Sequence, residues 1–303
     1  MIKLLPVTKD YLWGGEKLKT LFGVKADGIV AECWTASIHK DGASLIENGA
    51  ENFAAYLKSH AYTVDKKGGD FPVLIKYIDA KNNLSVQVHP SDEYALKHEN
   101  SLGKTEAWYI ISAEKGAGIY CGFKRDTNKS EFLEKVKSGS VEELLNFIPV
   151  KAGDCYLINS GTVHAIGAGC VICEVQQNSN ITYRVYDYNR RGADGKLREL
   201  HVDKAVEVID FNKFNDKTGT EKYKNVRGGK IRLLTKCKYF SLKELLLSRE
   251  FCGVNDDSFT VINVIKGGGK INDKPFCAGD CFYIPLGEKF ALSGEADVLI
   301  TAE

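Results

Sequence analysis

The stretch Leu84-Ser-Val-Gln-Val-His-Pro90 sets a hydroxyl, an amide and an imidazole at alternate positions. Leu84, Val86 and Val88 interleave with Ser85, Gln87 and His89, the period of a β-strand with one apolar and one polar face. Gln87 and His89 then project side by side. That pairing makes a poor core and a good start for a metal site. Pro90 has no N–H for the ladder and stops the strand. Two further groups can join them: Glu106, in the strand-like run Gly103–Ile111 where it shares a face with Lys104 and Trp108, and His164. An amide oxygen, two imidazoles and a carboxylate suit Zn²⁺ or another borderline divalent ion, leaving one or two positions open for water or substrate. Taken singly, each residue reads as an ordinary core or surface side chain.

An internal repeat sets His164 apart. Ala152-Gly-Asp-Cys-Tyr-Leu-Ile-Asn-Ser-Gly-Thr-Val-His164 matches Ala278-Gly-Asp-Cys-Phe-Tyr-Ile-Pro-Leu-Gly-Glu-Lys-Phe290 without a gap, at an offset of 126 residues. Each copy reads as a Gly-Asp turn, an apolar strand, a second Gly turn and another strand, which argues for two related barrels. The G-D-x(4)-P-x-G-x-x-H pattern resembles the second motif of cupins, jelly-roll double-stranded β-helices. The first copy keeps the histidine; the second keeps Pro285 but has Phe290 at the ligand position.

Around these residues the chain is rich in strand patterns. Ala31–His39 alternates, with Glu32 and Trp34 on one side, and reads as a plain strand; Tyr11-Leu-Trp-Gly-Gly15 reads as an aromatic turn. Phe71–Asp79 is dense in β-branched residues, and the Lys81-Asn-Asn83 turn predicts a hairpin with the opening stretch. Ala50–His60 and Asp203–Ile209 predict short helices. Asn128-x-x-Glu131 and Ser140-x-x-Glu143 read as capping boxes of a small helical insert. The expected division is a metal-binding barrel over 1–122 and 149–200, the insert over 123–148, and a degenerate second barrel over 201–303. Arg190–Gly195 reads as a basic loop and 213–229 as a polar linker.

Composition narrows the class. The 303 residues are 44% hydrophobic and carry a net charge of +1, enough apolar material for one large core or two smaller ones and no basic stripe that calls for a nucleic acid. No apolar run reaches transmembrane length and the first ten residues lack a leader pattern. Nine cysteines scattered through strand-like segments fit packed thiols in a reducing cytoplasm. Cys170 and Cys173 lie three apart in a strand, hence on opposite faces, and cannot share a metal.

The chain resembles a type I mannose-6-phosphate isomerase (phosphomannose isomerase) of the short bacterial form. The resemblance is carried by Trp13-Gly-Gly15, Glu32-Cys-Trp34, Phe71–Lys76, Leu84–Asp92, Gly103–Trp108, Gly161–Gly167, Glu174 and Tyr183-Arg184. It implies a mainly β, two-barrel cupin fold with one zinc ion held by Gln87, His89, Glu106 and His164. It also implies interconversion of mannose 6-phosphate and fructose 6-phosphate by proton transfer between C2 and C1 through a cis-enediolate. Glu174 then matches the proton-transferring base, Arg184 an arginine near the sugar and Lys104 a lysine beside the metal; Ser85, Lys76 and Arg190 fall where phosphate contacts are expected. The longer members carry a large helical domain for which only the insert could stand here, and the loop after Arg184 differs from theirs. The implied partner is a small sugar phosphate, and the chain is expected to be a monomer or a homodimer. Two other readings stay open on the residues alone: a cupin oxygenase, whose metal takes two histidines and a carboxylate, and a regulator that binds sugar phosphate without turnover.

Overall fold

The structure, a computed structural model, describes residues 1–192, 195–215 and 221–303. Parts of the expected basic loop (193–194) and polar linker (216–220) lie outside the described residues. The protein is mainly β, with strands in three sheets.

One sheet runs in the order Cys155–Ile158, Glu106–Ala113, Cys170–Gln177, Val73–Ala80, Glu32–Ala36 and Val7–Lys9. A second runs Tyr183–Tyr186, Val86–Val88, His164–Ile166, Gly118–Phe123 and Leu145–Pro149. The two face each other across a core of Trp13, Ile78, Trp108, Ile110, Ile119, Ile166 and Ile172. Period-2 alternation decides which residues meet there. In Cys170–Gln177, a central strand buried at every position, Cys170 and Ile172 enter this inner core. Val171, Cys173 and Val175 point the other way and pack with Val261, Tyr283 and Leu299 of the C-terminal sheet. Cys170 and Cys173 therefore sit in different cores, as their spacing predicts. Each fully buried apolar side chain contributes about 1.5–3 kcal/mol, so this strand ties both layers together.

The outer face of the second sheet, where Val86 and Val88 point, is covered by the helices Lys129–Ser138 and Val202–Val208. Asn128 caps the first, its Oδ1 accepting from the Glu131 amide at 3.0 Å. The second expected capping box does not form. Ser140 has ψ near 23° and no side-chain cap, and only a 3₁₀ turn, Val141–Leu144, follows. Leu145–Pro149, which overlaps the end of the expected insert, is a strand of the second sheet.

The expected hairpin between Phe71–Asp79 and Leu84–Pro90 is also not formed. Val73–Ala80 pairs with Cys170–Gln177 and Glu32–Ala36, whereas Val86–Val88 pairs with His164–Ile166 and Tyr183–Tyr186. The connection turns a corner between facing sheets because its backbone donors find partners elsewhere: Asn82 N bonds Trp13 O and Leu84 N bonds Ile166 O. Leu84 precedes the short strand and joins the inner core rather than the side of Val86 and Val88.

The C-terminal strands, Lys224 onward, form the third sheet. It also takes in Ile2–Leu5 and Leu45–Ile46: Leu4 pairs with Cys281, and Leu5 with Leu45. These strands leave the unit that the sequence division gives them. The repeat is preserved to the residue. Cys155–Ile158 and Cys281–Ile284 are equivalent strands. Asp154 accepts from Lys151 N as Asp280 does from Cys277 N, both at 2.9 Å. Gly153 and Gly279 turn at φ 88° and 94°, a backbone that glycine adopts at little cost.

Candidate metal centre and substrate cavity

Strand register brings the candidate ligands together. Gln87 is flanked by His164 on one neighbouring strand and Arg184 on the other. In the facing sheet, Glu174 lies between Lys76 and Trp108, and Glu106 is two residues along the register, opposite Gln176. His89, Glu106 and His164 bring one ligand atom each within 4.8 Å of one another, and all three are buried. His89 Nε2 is 3.3 Å from Glu106 Oε2, and His164 Nε2 is 3.4 Å from Oε1. Gln87 Nε2 lies 3.3 Å from His164 Nε2. An amide rotated by half a turn presents its oxygen to the same point.

Both imidazoles are oriented from behind. His89 Nδ1 is 2.8 Å from the Ile181 carbonyl and His164 Nδ1 is 2.8 Å from the Thr162 carbonyl. Nδ1 must carry the proton to donate there, which leaves each Nε2 lone pair aimed at the centre. Burial, with the Lys104 charge added, pushes the His89 pKa down to about 3, and burial lowers that of His164. Burial alone would favour the neutral Glu106, but Lys104, His89 and His164 outweigh it and hold the carboxyl well below its ordinary range. Neutral imidazoles and an ionised carboxylate are the states that ligate a metal. His89 Nε2 and both Glu106 oxygens lack a hydrogen bond of acceptable geometry, although Lys104 Nζ is 2.8 Å from Oε2. Three converging, buried acceptor atoms without an accepted hydrogen bond are costly unless a cation meets them, and Lys104 approaches only one, Glu106 Oε2.

The remaining charges lie against this cluster. Lys104 is also 3.3 Å from Glu174 Oε1, while Lys76 sits 3.2 Å from the same oxygen and 3.3 Å from Glu32 Oε1. Burial opposes the Lys76 charge, but Glu174, Glu32 and Glu106 outweigh it and raise its pKa above the ordinary lysine value. Trp108 Nε1 donates to Glu174 Oε2 at 2.8 Å and Trp34 Nε1 to Glu32 Oε2 at 2.6 Å. Two buried ammonium groups thus face three buried carboxylates. A dication fits that imbalance, and the donor set of two nitrogens with oxygen ligands fits zinc.

Above the cluster is a cavity of about 270 Å³, at the small end of ligand sites and suited to a single sugar. Gln87, Lys104, Glu174, Lys76, Ser85 and Arg184 all line it. Of the catalytic and phosphate-contact residues singled out in the sequence, Arg190 alone does not; His89, Glu106 and His164 lie outside the lining, behind Gln87 and Lys104. The Arg190 guanidinium is engaged by Asp187 and by the Asn83 carbonyl at 2.6 Å. Arg198 lines the wall instead, held by Asp187 through Nε at 2.7 Å. Lys76 lines the cavity but is already committed to two carboxylates. Arg184 Nε bonds Ser85 Oγ at 3.3 Å. Burial, together with the charges of Arg198 and Arg190, pulls the Arg184 pKa below its ordinary value, so this corner is short of anions. Glu32, Tyr11 and Trp13 also line the cavity. The alternation of Glu32 with Trp34 was a usable signal for the first. Arg198 sits in a loop with no periodicity to mark it.

The repeat copy has no such centre. By register, Thr260 stands at the place of Glu106, Ile262 at that of Trp108, Ile300 at that of Glu174 and Phe290 at that of His164. Ile262 and Phe290 lie in a closed apolar core, with Ile300 packed against it.

A two-histidine, carboxylate and amide cluster beside a charged cavity, on the inner face of a β-sandwich, is the arrangement of a cupin of the phosphomannose isomerase type with a candidate metal centre. The family description "Phosphomannose isomerase type I, catalytic domain" matches residues 1–116. Mannose-6-phosphate isomerase ManA of Bacillus subtilis (strain 168) is 39% identical over 306 residues, covering 98% of this chain and 96% of the relative. A crystal structure of the mannose 6-phosphate isomerase from Bacillus subtilis superposes with a TM-score of 0.93 at 34% identity, covering 100% of this chain and 99% of the other. At 15% identity, a mannose 6-phosphate isomerase bound with zinc and yttrium shares the fold, with a TM-score of 0.79 over 100% and 99% of the two chains. The chain belongs to the mannose-6-phosphate isomerase family. Among the described residues, no helix is long and apolar enough to cross a membrane.

Proposed function

We propose that the chain is a zinc-dependent aldose–ketose isomerase that interconverts mannose 6-phosphate and fructose 6-phosphate on the first of two cupin barrels. The observation that carries this reading is the convergence of three buried acceptors without an accepted hydrogen bond, His89 Nε2 and both Glu106 oxygens, behind a cavity lined by Gln87, Lys104 and Glu174. A relative of the same fold is described as bound with zinc. One ion per chain would be held by His89, Glu106, His164 and Gln87. When bound, it would supply Lewis-acid polarisation of the sugar oxygens, which the weakly acidic hydrogen next to the carbonyl requires.

The chain's own residues account for the rest. Glu174 has one oxygen fixed by Trp108 and the other, Oε1, without an accepted hydrogen bond and facing Lys76 and Lys104. Oε1 is the base that removes the proton from C2 and returns it to C1 on the same face of the cis-enediolate, while the hydroxyl proton passes from O2 to O1. Lys104 is the cation nearest both Glu106 and Glu174 and stabilises charge developing on the sugar oxygens. Arg184 and Arg198 hold the phosphate end, with Ser85 beside them. Arg198 takes this part in place of Arg190, and Lys76 is engaged by Glu174 and Glu32 rather than binding phosphate.

The test is a coupled assay of fructose 6-phosphate formed from mannose 6-phosphate, before and after chelation. Turnover that chelator abolishes and zinc restores is expected; turnover indifferent to chelation overturns the metal assignment, and no turnover by zinc-loaded protein overturns the reading. Arg198→Ala is expected to raise KM for mannose 6-phosphate on the order of tenfold with a smaller change in kcat, the signature of lost substrate binding. An unchanged KM removes Arg198 from the phosphate site.

A further inference from the structure

The segment that delivers Lys104 is held by side chains outside the cavity. Gly103 lies flat against the start of the helix Asp92–His98: a Cβ at Gly103 would fall 2.4 Å from the Ser91 carbonyl carbon and 2.5 Å from Asp92 N. Lys104 N donates to Pro90 O at 3.0 Å. Asp92 Oδ1 accepts from Gly103 N and from Gln177 Nε2, each at 2.9 Å. Gln177 Oε1 accepts from Thr105 N at 2.9 Å. Asp92 Oδ2 accepts from Tyr239 OH at 2.7 Å. Gln177 ends the strand that carries Glu174, and Tyr239 sits in the turn between Gly229–Lys236 and Ser241–Leu247 of the C-terminal sheet. The residues on both sides of Lys104 are thus tied to the strand of the base and, through one carboxylate, to the other half of the molecule.

We propose that Asp92, Gln177 and Tyr239 are positioning residues that fix Lys104 between Glu106 and Glu174, and that the C-terminal sheet takes part in catalysis through the Tyr239 hydroxyl. Two flanking backbone amides, donating to Gln177 Oε1 and Asp92 Oδ1, leave the Lys104 backbone little freedom. The Tyr239 bond in turn fixes the rotamer of Asp92, whose two oxygens would otherwise be free to exchange partners. A shift of about 1 Å at a catalytic group can cost on the order of 100-fold in rate.

The inference rests on the isomerase reading only for its kinetic arm. Asp92→Ala is expected to lower kcat about tenfold with KM changed less than about twofold and zinc content unaltered, and Asp92→Asn, which keeps an acceptor oxygen, to restore most of the rate. Tyr239→Phe, which deletes one hydroxyl at a half-buried position, is expected to show a milder loss of the same kind and serves if Asp92→Ala does not fold. In a Lys104→Met background neither substitution should lower kcat further, because both act through that lysine. Additive losses in the two backgrounds overturn the proposal. Faster hydrogen exchange at the Gly103 and Thr105 amides in Tyr239→Phe, with Ala107 unchanged, reads the placement without turnover. If the protein does not isomerise mannose 6-phosphate at all, the functional reading fails and exchange alone decides; unaltered exchange overturns the relay.

Discussion

Glu174→Gln is expected to leave a folded protein that binds zinc as before and isomerises mannose 6-phosphate about 10²–10⁴-fold more slowly, the usual contribution of a positioned general base. The geometry isolates the effect. Glutamine keeps an oxygen for Trp108 Nε1, so the indole that packs edge-on to His164 keeps its partner. The lost group is the carboxylate oxygen that faces the cavity. The loss should fall on kcat and on kcat/KM alike, since a proton acceptor matters in the transition state more than in the bound ground state. Solvent-hydrogen exchange into C2 of the substrate should fall in parallel. A variant that retains zinc and loses less than tenfold would remove Glu174 from proton transfer and leave Lys76 and Lys104 surrounding a structural acid. The charge change carries a cost in stability: two buried ammonium groups lose a shared counter-ion, and breaking such a contact costs about 3–5 kcal/mol when it leaves a charge uncompensated. Glu32 and Glu106 remain as partners, so the loss should fall below that range, as urea denaturation can measure.

His164→Phe makes the change that separates the two repeat copies. The expected result is loss of both zinc and turnover, with activity at the assay background. The substitution removes one ligand and puts a larger apolar ring against Glu106, whose carboxylate would have lost one of the three partners that hold it ionised. Overpacking of a fully buried site adds about 1–3 kcal/mol of destabilisation. Equilibrium dialysis against zinc separates the causes: a folded variant that cannot retain the ion supports the ligand role, and one that retains it at wild-type affinity would show that His89, Glu106 and Gln87 suffice.

Much of this site was legible because the strands announce themselves by a period of two. Gln87 with His89, and Lys104 with Glu106 and Trp108, could be put on common faces from alternation alone. His164 emerged because its counterpart, Phe290, has the same turn before it. The structure adds what alternation cannot carry. No local pattern says whether Val73–Ala80 and Val86–Val88 are neighbours or face each other across a core; long-range pairing decides it, through donors such as Asn82 N and Leu84 N. The exchange of Arg190 for Arg198 has the same origin. Arg190 opens the basic loop and Arg198 lies beyond it; Asp187 holds both, and the Asn83 carbonyl, distant in sequence, engages Arg190 away from the cavity. Glu32 reads in the sequence as an ordinary strand residue, because its partner Lys76 is more than forty positions away.

The pairing of Leu4 with Cys281 has a consequence for biosynthesis. On the ribosome, Ile2–Leu5 is made long before Cys281–Ile284, so the edge of that strand not taken by Leu45–Ile46 waits without its partner while the residues between are translated. Pairings this distant are slow, because loop-closure entropy is spent before the contact returns anything. Nascent chains arrested before Cys281 would display an apolar edge for chaperones to shield. Splitting the gene at residue 201 would not yield a self-sufficient C-terminal fragment, since two strands of its sheet would be encoded on the other piece.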